Sequence, residues 1–314
     1  MKRIALTFMA LMLALMGCTP QPDLIILHAG SLSVPFNEAA EAFEELNPGV
    51  TIVTESAGSR TVCRKVTELG KLADVVAVAD YTVIEDLMFP DYADWYICFA
   101  RNEMVIAYRD GAPFADEIKN GERTWYDVLV NEDVTYGHSN PNFDPCGYRA
   151  LMLWQLAEEY YDEPGLYDDL DAGCPPENIR PKETDLIALQ QAGALDYVFQ
   201  YRSVAEQHDL EYLALPQEIN LSSPEFADFY GTAQVEVSGK EPGETVTYTG
   251  KPIVYGVTIP KNAPHPDLAI AFLRFLLSPE GQAIMAENGQ PPIVPAIASD
   301  PTKLPEELRE LVAE

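Results

Sequence analysis

The chain has 314 residues, 47% of them hydrophobic, enough for two ordinary domains with real cores and too much for a peptide module or a disordered tail. Fifty acidic side chains against 20 basic ones give a formal charge of -30, which speaks against binding nucleic acid or anionic lipid through the protein's own surface. The four histidines, His28, His138, His208 and His265, form no HExxH or HxH pair, so a histidine-rich zinc site is not expected, and the five cysteines form no CxxC. A small anion is not excluded, because it answers to local donors rather than to the global charge.

Lys2 and Arg3 precede an apolar run over 4–16 that only Thr7 interrupts. As a helix this run is about 20 Å long, too short to cross a bilayer comfortably, and it predicts a signal peptide over 1–17. Its ending, Leu15-Met16-Gly17-Cys18, resembles the lipobox of bacterial-type lipoproteins, in which the cysteine is lipidated and becomes the first residue. The resemblance implies export and a lipid anchor at Cys18 on the outer face of the cell membrane, with 18–23 as a tether. Cleavage beyond Cys18 and a retained membrane helix are the alternatives.

Residues 24–27 predict a short buried strand that ends in His28-Ala29-Gly30-Ser31. Phe36, Ala39, Ala40, Phe43 and Leu46 then recur at helical spacing until Asn47-Pro48-Gly49 stops them. The same grammar repeats: a strand over 50–53, a Gly/Ser turn over 55–59, a helix carrying Val62, Val66 and Leu69, and a strand over 73–80. From about residue 100 a second unit is expected, with a strand over 102–108, a short segment at 125–130 and a strand over 134–137. It continues with helices over 148–161 and 186–191, a strand over 197–201 and a close at 213–216. The acidic stretch 161–171 reads as a solvated loop. After Pro252 come a strand over 253–259 and a helix over 268–277.

Strands alternating with Gly/Ser turns and helices predict an α/β fold of two lobes, each a mostly parallel sheet flanked by helices. Residues 24–100 and 217–314 would form lobe I and 101–216 lobe II, joined by two crossings with a ligand cleft between them. Ser31 and Ser59 stand in turns beyond the carboxyl ends of strands, where open α/β sheets bind ligands.

Several stretches, in this order, resemble the archaeal-type tungstate/molybdate-binding family, the solute-binding lipoproteins of ABC importers related to the bacterial molybdate-binding proteins. They begin with His28-Ala29-Gly30-Ser31-Leu32-Ser33-Val34-Pro35-Phe36, Ser56-Ala57-Gly58-Ser59 and Ala73-Asp74-Val75-Val76-Ala77-Val78-Ala79-Asp80-Tyr81. Asn140-Pro141-Asn142-Phe143-Asp144-Pro145-Cys146-Gly147-Tyr148-Arg149, Arg180-Pro181-Lys182-Glu183, Tyr201-Arg202-Ser203 and Gly289-Gln290-Pro291-Pro292-Ile293 follow. Longer members carry an insertion between Cys174 and Arg180 that this chain lacks. The resemblance implies a periplasmic-binding-protein fold of type II-like form, a single oxyanion, molybdate or tungstate, as ligand without a cofactor, an ABC permease as partner, a monomer and no catalysis.

Carried over by position, Ser31 and Ser59 would donate to oxo groups, the Cys146 amide would do so from the other lobe, and Tyr201 would bring its hydroxyl to the ligand. Asp144 and Glu183 match the two carboxylates that approach the metal itself. Helix starts with unpaired N–H groups suit a tetrahedral dianion. Sulfate has the same charge and shape but cannot accept two further oxygen ligands as hexavalent molybdenum or tungsten can, so two carboxylates would discriminate between them. Each residue also has a plainer reading: Ser31, Ser59 and Asp144 as helix caps, Glu183 as a glutamate favoured at a helix start, and Tyr201 as packing. His28 reads as structural, and Arg64 and Arg149 either as sources of positive potential or as partners of surface carboxylates. Competing functions are a secreted hydrolase, for which no G-x-S-x-G elbow exists, a same-fold binder of sulfate, phosphate or ferric iron, and a structural lipoprotein.

Overall fold

The computed structural model describes residues 22–313. The expected signal peptide and Cys18 lie outside the described residues. Two sheet-plus-helix domains are present. The first sheet has six strands in the order Pro292–Ala298, Ile97–Arg101, Val254–Thr258, Val75–Val78, Leu24–Ala29 and Ile52–Ala57. The second has five, in the order Ile179–Arg180, Tyr136–Ser139, Tyr197–Tyr201, Met104–Tyr108 and Glu211–Ala214.

Both sheets are mixed. Leu24–Ala29 pairs in parallel with Ile52–Ala57 and Val75–Val78, as strand–helix–strand units require. Val254–Thr258 then enters antiparallel between Val75–Val78 and Ile97–Arg101, because the chain arrives from the other domain. In the second sheet Met104–Tyr108 is the antiparallel member, flanked by Tyr197–Tyr201 and Glu211–Ala214. Pro292 and Pro295 fall in the edge strand Pro292–Ala298, the place in a sheet where a missing N–H is tolerated.

Strand periodicity sorts the second sheet's side chains to two faces. Ile106 and Phe199 join the main core, whereas Val105, Ala107 and Val198 meet Leu186, Leu195 and Ala205 on the opposite side. The helix Pro145–Tyr161 buries Met152, Leu153, Trp154 and Leu156, and with them Arg149, which its spacing places on the same face.

Two local expectations are corrected, and one element was not foreseen. The acidic stretch is not a solvated loop: Leu166–Gly173 is a helix, because Leu166 and Leu170, one turn apart, are buried and the Leu170 carbonyl accepts from the Tyr136 hydroxyl at 2.8 Å. Leu46 and Leu69, the last residues of two apolar patterns, are exposed, since the helix Ser33–Leu46 ends at the first and Ser59–Thr67 has already ended before the second. An unforeseen hairpin, Gln234–Ser238 with Thr245–Thr249, reaches both domains. Arg60 donates to its Ser238 carbonyl and, at 2.5 Å, to its Tyr248 hydroxyl, while Gln155 and Gln234 exchange bonds of 2.8 and 2.9 Å.

Candidate functional site

The expected site residues come together beyond the carboxyl ends of the strands. Ser31 lies in the 3-10 turn Gly30–Leu32 that follows Leu24–Ala29 and is fully buried. Its Oγ accepts from the Tyr255 hydroxyl at 2.9 Å. Ser59 opens the helix Ser59–Thr67, is equally buried, and its Oγ accepts from the Ala79 N–H at 2.9 Å. Neither hydroxyl caps a helix, so the capping reading of both serines fails.

Asp144 does cap a helix. Its backbone is extended, Pro145 stands at the first helical position, and Oδ1 accepts from the Cys146 N–H at 3.3 Å. Its second oxygen accepts from the Glu183 N–H at 2.8 Å, so one carboxylate both starts the helix and holds the segment that presents the other. The Cys146 amide is thereby committed to Asp144. Its thiol is a neutral buried group, pushed up by burial first and by Asp144 and Glu183 next.

Glu183 follows Ile179–Arg180 and is fully buried, and among the described residues neither of its carboxylate oxygens has a hydrogen-bond partner. The Ser31 backbone amide lies close enough to favour its charge without bonding to it. Burial first and the charge of Asp144 second push the Glu183 carboxyl well above its ordinary 4.5. An unpaired buried carboxylate is costly in a core, and it is kept at sites that use it. Among the described residues Asp144 and Glu183 belong to no group of three or more His, Cys, Asp or Glu able to hold a metal ion by themselves.

Tyr201 ends its strand with a buried hydroxyl that accepts from Arg149 Nη1 at 2.7 Å. The same Nη1 donates to the Ala79 carbonyl at 2.9 Å, and Arg149 Nη2 lies 3.1 Å from Asp80 Oδ2. Asp80 also accepts from the Tyr148 hydroxyl at 2.8 Å and has Lys251 at 3.6 Å. Burial alone would raise the Asp80 pKa, but Lys251, Arg149 and two hydroxyl donors outweigh it and bring it down to about 2. Arg149 thus supplies buried positive charge rather than a surface pair, whereas Arg64 binds the hairpin at the Gly239 carbonyl, 2.6 Å away. His28 is buried beside Phe36 and lowered to about 4, by burial above all, so it is neutral at pH 7 and structural.

Two glycines allow the domains to meet here. A Cβ on Gly30 would lie 2.9 Å from Glu183 Oε1, and one on Gly58 would lie 2.4 Å from the Phe143 carbonyl oxygen and 3.1 Å from Asp144 Cβ. That carbonyl accepts from the Arg60 and Thr61 amides at 3.1 and 3.4 Å, closing the first domain's helix start against the second domain. Gly58→Ala should therefore hold the two faces apart and weaken ligand binding at least about tenfold, in line with an overpacking cost of about 1–3 kcal/mol. Equal affinity of this variant and the unaltered chain in a calorimetric titration would show that the contact plays no part in binding.

A cavity of about 590 Å³ lies elsewhere, lined by Arg101, Glu103, Arg202 and Glu206 among others. Its Arg202 is already paired with Glu103 and Glu206 at 2.9 and 2.7 Å, so the sealed cluster around Glu183 has the stronger claim to a ligand. Sequence reasoning missed Asn102, Tyr255 and Gln290 around Ser31. Arg60, also missed, is fully buried and donates from Nε to the Asn142 carbonyl at 3.2 Å. For Gln290 the available signal was the stretch Gly289-Gln290-Pro291-Pro292-Ile293 in which it stands, and the buried face of the helix Pro145–Tyr161 pointed to Arg149.

Comparison with known proteins bears on the family and the fold. The model of the family described as bacterial extracellular solute-binding protein matches residues 24–290. A solute-binding protein of Petrotoga mobilis is 54% identical, over 92% of this chain and 90% of its own length. The molybdate/tungstate-binding protein WtpA of Pyrococcus abyssi is 46% identical, over 92% of this chain and 89% of its own. Among solved structures, the periplasmic molybdate-binding protein of Azotobacter vinelandii superposes with a TM-score of 0.59 at 19% identity, covering 85% of this chain and 98% of that one, a likeness of fold. The chain belongs to the bacterial extracellular solute-binding protein family.

Proposed function

We propose that the chain binds molybdate or tungstate between two lobes, 24–100 with 217–314 and 101–216, and delivers it to an ABC transporter permease. The observation that carries this reading is the Glu183 carboxylate, fully buried with both oxygens unbonded, beside Asp144 and facing the turn of Ser31. Ser31, Ser59 and Tyr201 supply hydroxyls for oxo groups, and Asp144 and Glu183 supply oxygen ligands that a hexavalent metal centre accepts and sulfate repels. The name of the Pyrococcus abyssi relative supports the choice of anion. Binding without catalysis fits the serines: each hydroxyl oxygen receives a proton donor, and among the described residues no histidine or carboxylate is bonded to either as a base. Calorimetry of the full-length protein with molybdate, tungstate, sulfate and phosphate is expected to show one site that takes the first two; heat from sulfate or phosphate alone would transfer the site to another anion.

The mature protein is a monomer held to the outer face of the membrane by lipid at Cys18, a reading supported by the Leu15-Met16-Gly17-Cys18 ending. Cys18→Ser should release the protein from the membrane fraction. Retention of that variant at the level of the unaltered chain would remove the lipid from the account.

A further inference from the structure

We propose that Tyr255 is a positioning residue that leaves the Ser31 hydroxyl proton free for the ligand, through a hydrogen-bond relay that begins at Asn102 in the crossing between the two domains. The inference rests on the oxyanion reading and deepens it by saying why this hydroxyl serves an acceptor. Every member of the relay is buried: Ser31, Tyr255 and Gln290 fully, and Asn102 with 5% exposed.

The direction of the relay is set at its start by groups that can act in one way only. Asn102 Oδ1 accepts from the backbone N–H of Glu103 at 2.9 Å and of Ser203 at 3.4 Å. A backbone N–H only donates, so the oxygen of this amide must stand there and its nitrogen must stand on the other side. Asn102 Nδ2 then donates to Tyr255 Oη at 2.8 Å and to Ser203 Oγ at 2.7 Å. Having accepted from Asn102, the Tyr255 hydroxyl directs its single proton to Ser31 Oγ, 2.9 Å away. Burial above all keeps that proton on Tyr255, whose pKa is raised to about 12. Ser31 Oγ is thus an acceptor toward the protein and has its own proton left to donate to the ligand. Gln290 Nε2 holds the Ser31 carbonyl at 2.8 Å and keeps the turn in place.

The other two hydroxyls are set the same way by simpler means. A backbone N–H, that of Ala79, stands behind Ser59, and a guanidinium, that of Arg149, stands behind Tyr201. Neither can accept a proton. Ser31 is the hydroxyl whose orientation depends on a side-chain relay, and that relay can be cut or reversed by substitution.

The test is a thermodynamic cycle read by calorimetric titration of the full-length protein with molybdate. Ser31→Ala and Tyr255→Phe are each expected to weaken binding about tenfold, the scale of one hydrogen bond to a charged ligand. Together they should weaken it no more than Ser31→Ala alone, because Tyr255 acts through Ser31. A structural role for Tyr255 would instead make the two losses multiply. Asn102→Asp supplies a second measurement: it places an acceptor behind Tyr255, draws the tyrosine proton backward and turns Ser31 toward Tyr255 as donor. Its loss of affinity should shrink when Tyr255→Phe is also present, leaving only the effect of the added charge. Full additivity of Tyr255→Phe with Ser31→Ala, or no loss from either single variant, overturns the relay while oxyanion binding by the unaltered chain stands. Absence of binding by the unaltered chain overturns the oxyanion reading and the relay together.

Discussion

The double variant Asp144→Asn with Glu183→Gln is expected to bind molybdate and tungstate about a hundredfold or more weakly, which is about 2.7 kcal/mol or more, while sulfate binds as before or better. A neutral amide oxygen is a poor ligand for a hexavalent centre, and removing two negative charges from a desolvated site lifts the barrier to sulfate. The single variants should differ in their effect on the ligand-free protein. Asp144 gives one oxygen to the Cys146 amide and the other to the Glu183 amide, so Asp144→Asn replaces an acceptor-only group by one with a donor side and lowers the melting temperature modestly, Asn being a fair cap. Glu183 has nothing bonded to its carboxylate, so Glu183→Gln should raise the melting temperature.

The sign of the pH dependence follows from the raised pKa of Glu183. The carboxyl favours the folded state fully below its ordinary value of 4.5, and that contribution is lost as pH rises toward the higher folded value. The stabilisation from Glu183→Gln should therefore grow with pH above about 4.5. A variant that loses stability at every pH while keeping its molybdate affinity would mean that the carboxylate is a structural group.

The second large effect concerns Arg149. Arg149→Met strips a buried guanidinium from Asp80, 3.1 Å away, and from the Tyr201 hydroxyl and Ala79 carbonyl, leaving Asp80 with Lys251 at 3.6 Å and its hydroxyl donors. Breaking a buried pair by removing one partner costs about 3–5 kcal/mol, and denaturant unfolding should register a loss on that scale. In the unaltered protein the lowered pKa of Asp80 contributes stability that is present above 3.8 and lost as pH falls through about 2. Asp80→Asn should flatten that acid limb. An Arg149→Met protein as stable as the parent would contradict the buried pairing.

Local patterning made most of the first domain legible. The apolar run at Leu24–Ala29, the spacing of Phe36, Ala39, Ala40 and Phe43, and the all-apolar Val75–Val78 are core features written in short segments of sequence. The mixed direction of the sheets was not, because Val254–Thr258 owes its place to a partner about 180 residues earlier in the chain, and no local pattern encodes strand direction. The hairpin carried a usable signal in the alternation of Val235 and Val237 with Val246 and Tyr248 around Pro242-Gly243. Ser31, Ser59, Asp144, Glu183 and Tyr201 were visible through motifs at strand ends, whereas Tyr255 and Asn102 were not, and Gln290 stood in a matching stretch with no role assigned to it. These three act on Ser31 or its neighbours from 71 to 259 positions away or through another residue, which only the folded chain brings about.

The question of whether two protein carboxylates reach the metal is answered most directly by X-ray absorption at the molybdenum or tungsten edge of the loaded full-length protein. Four oxo ligands with two further oxygen ligands at longer distance are expected, and those two should be lost in the Asp144→Asn, Glu183→Gln double variant. A spectrum with four oxo ligands and no other atom within bonding range would contradict that coordination, however weakly the double variant binds.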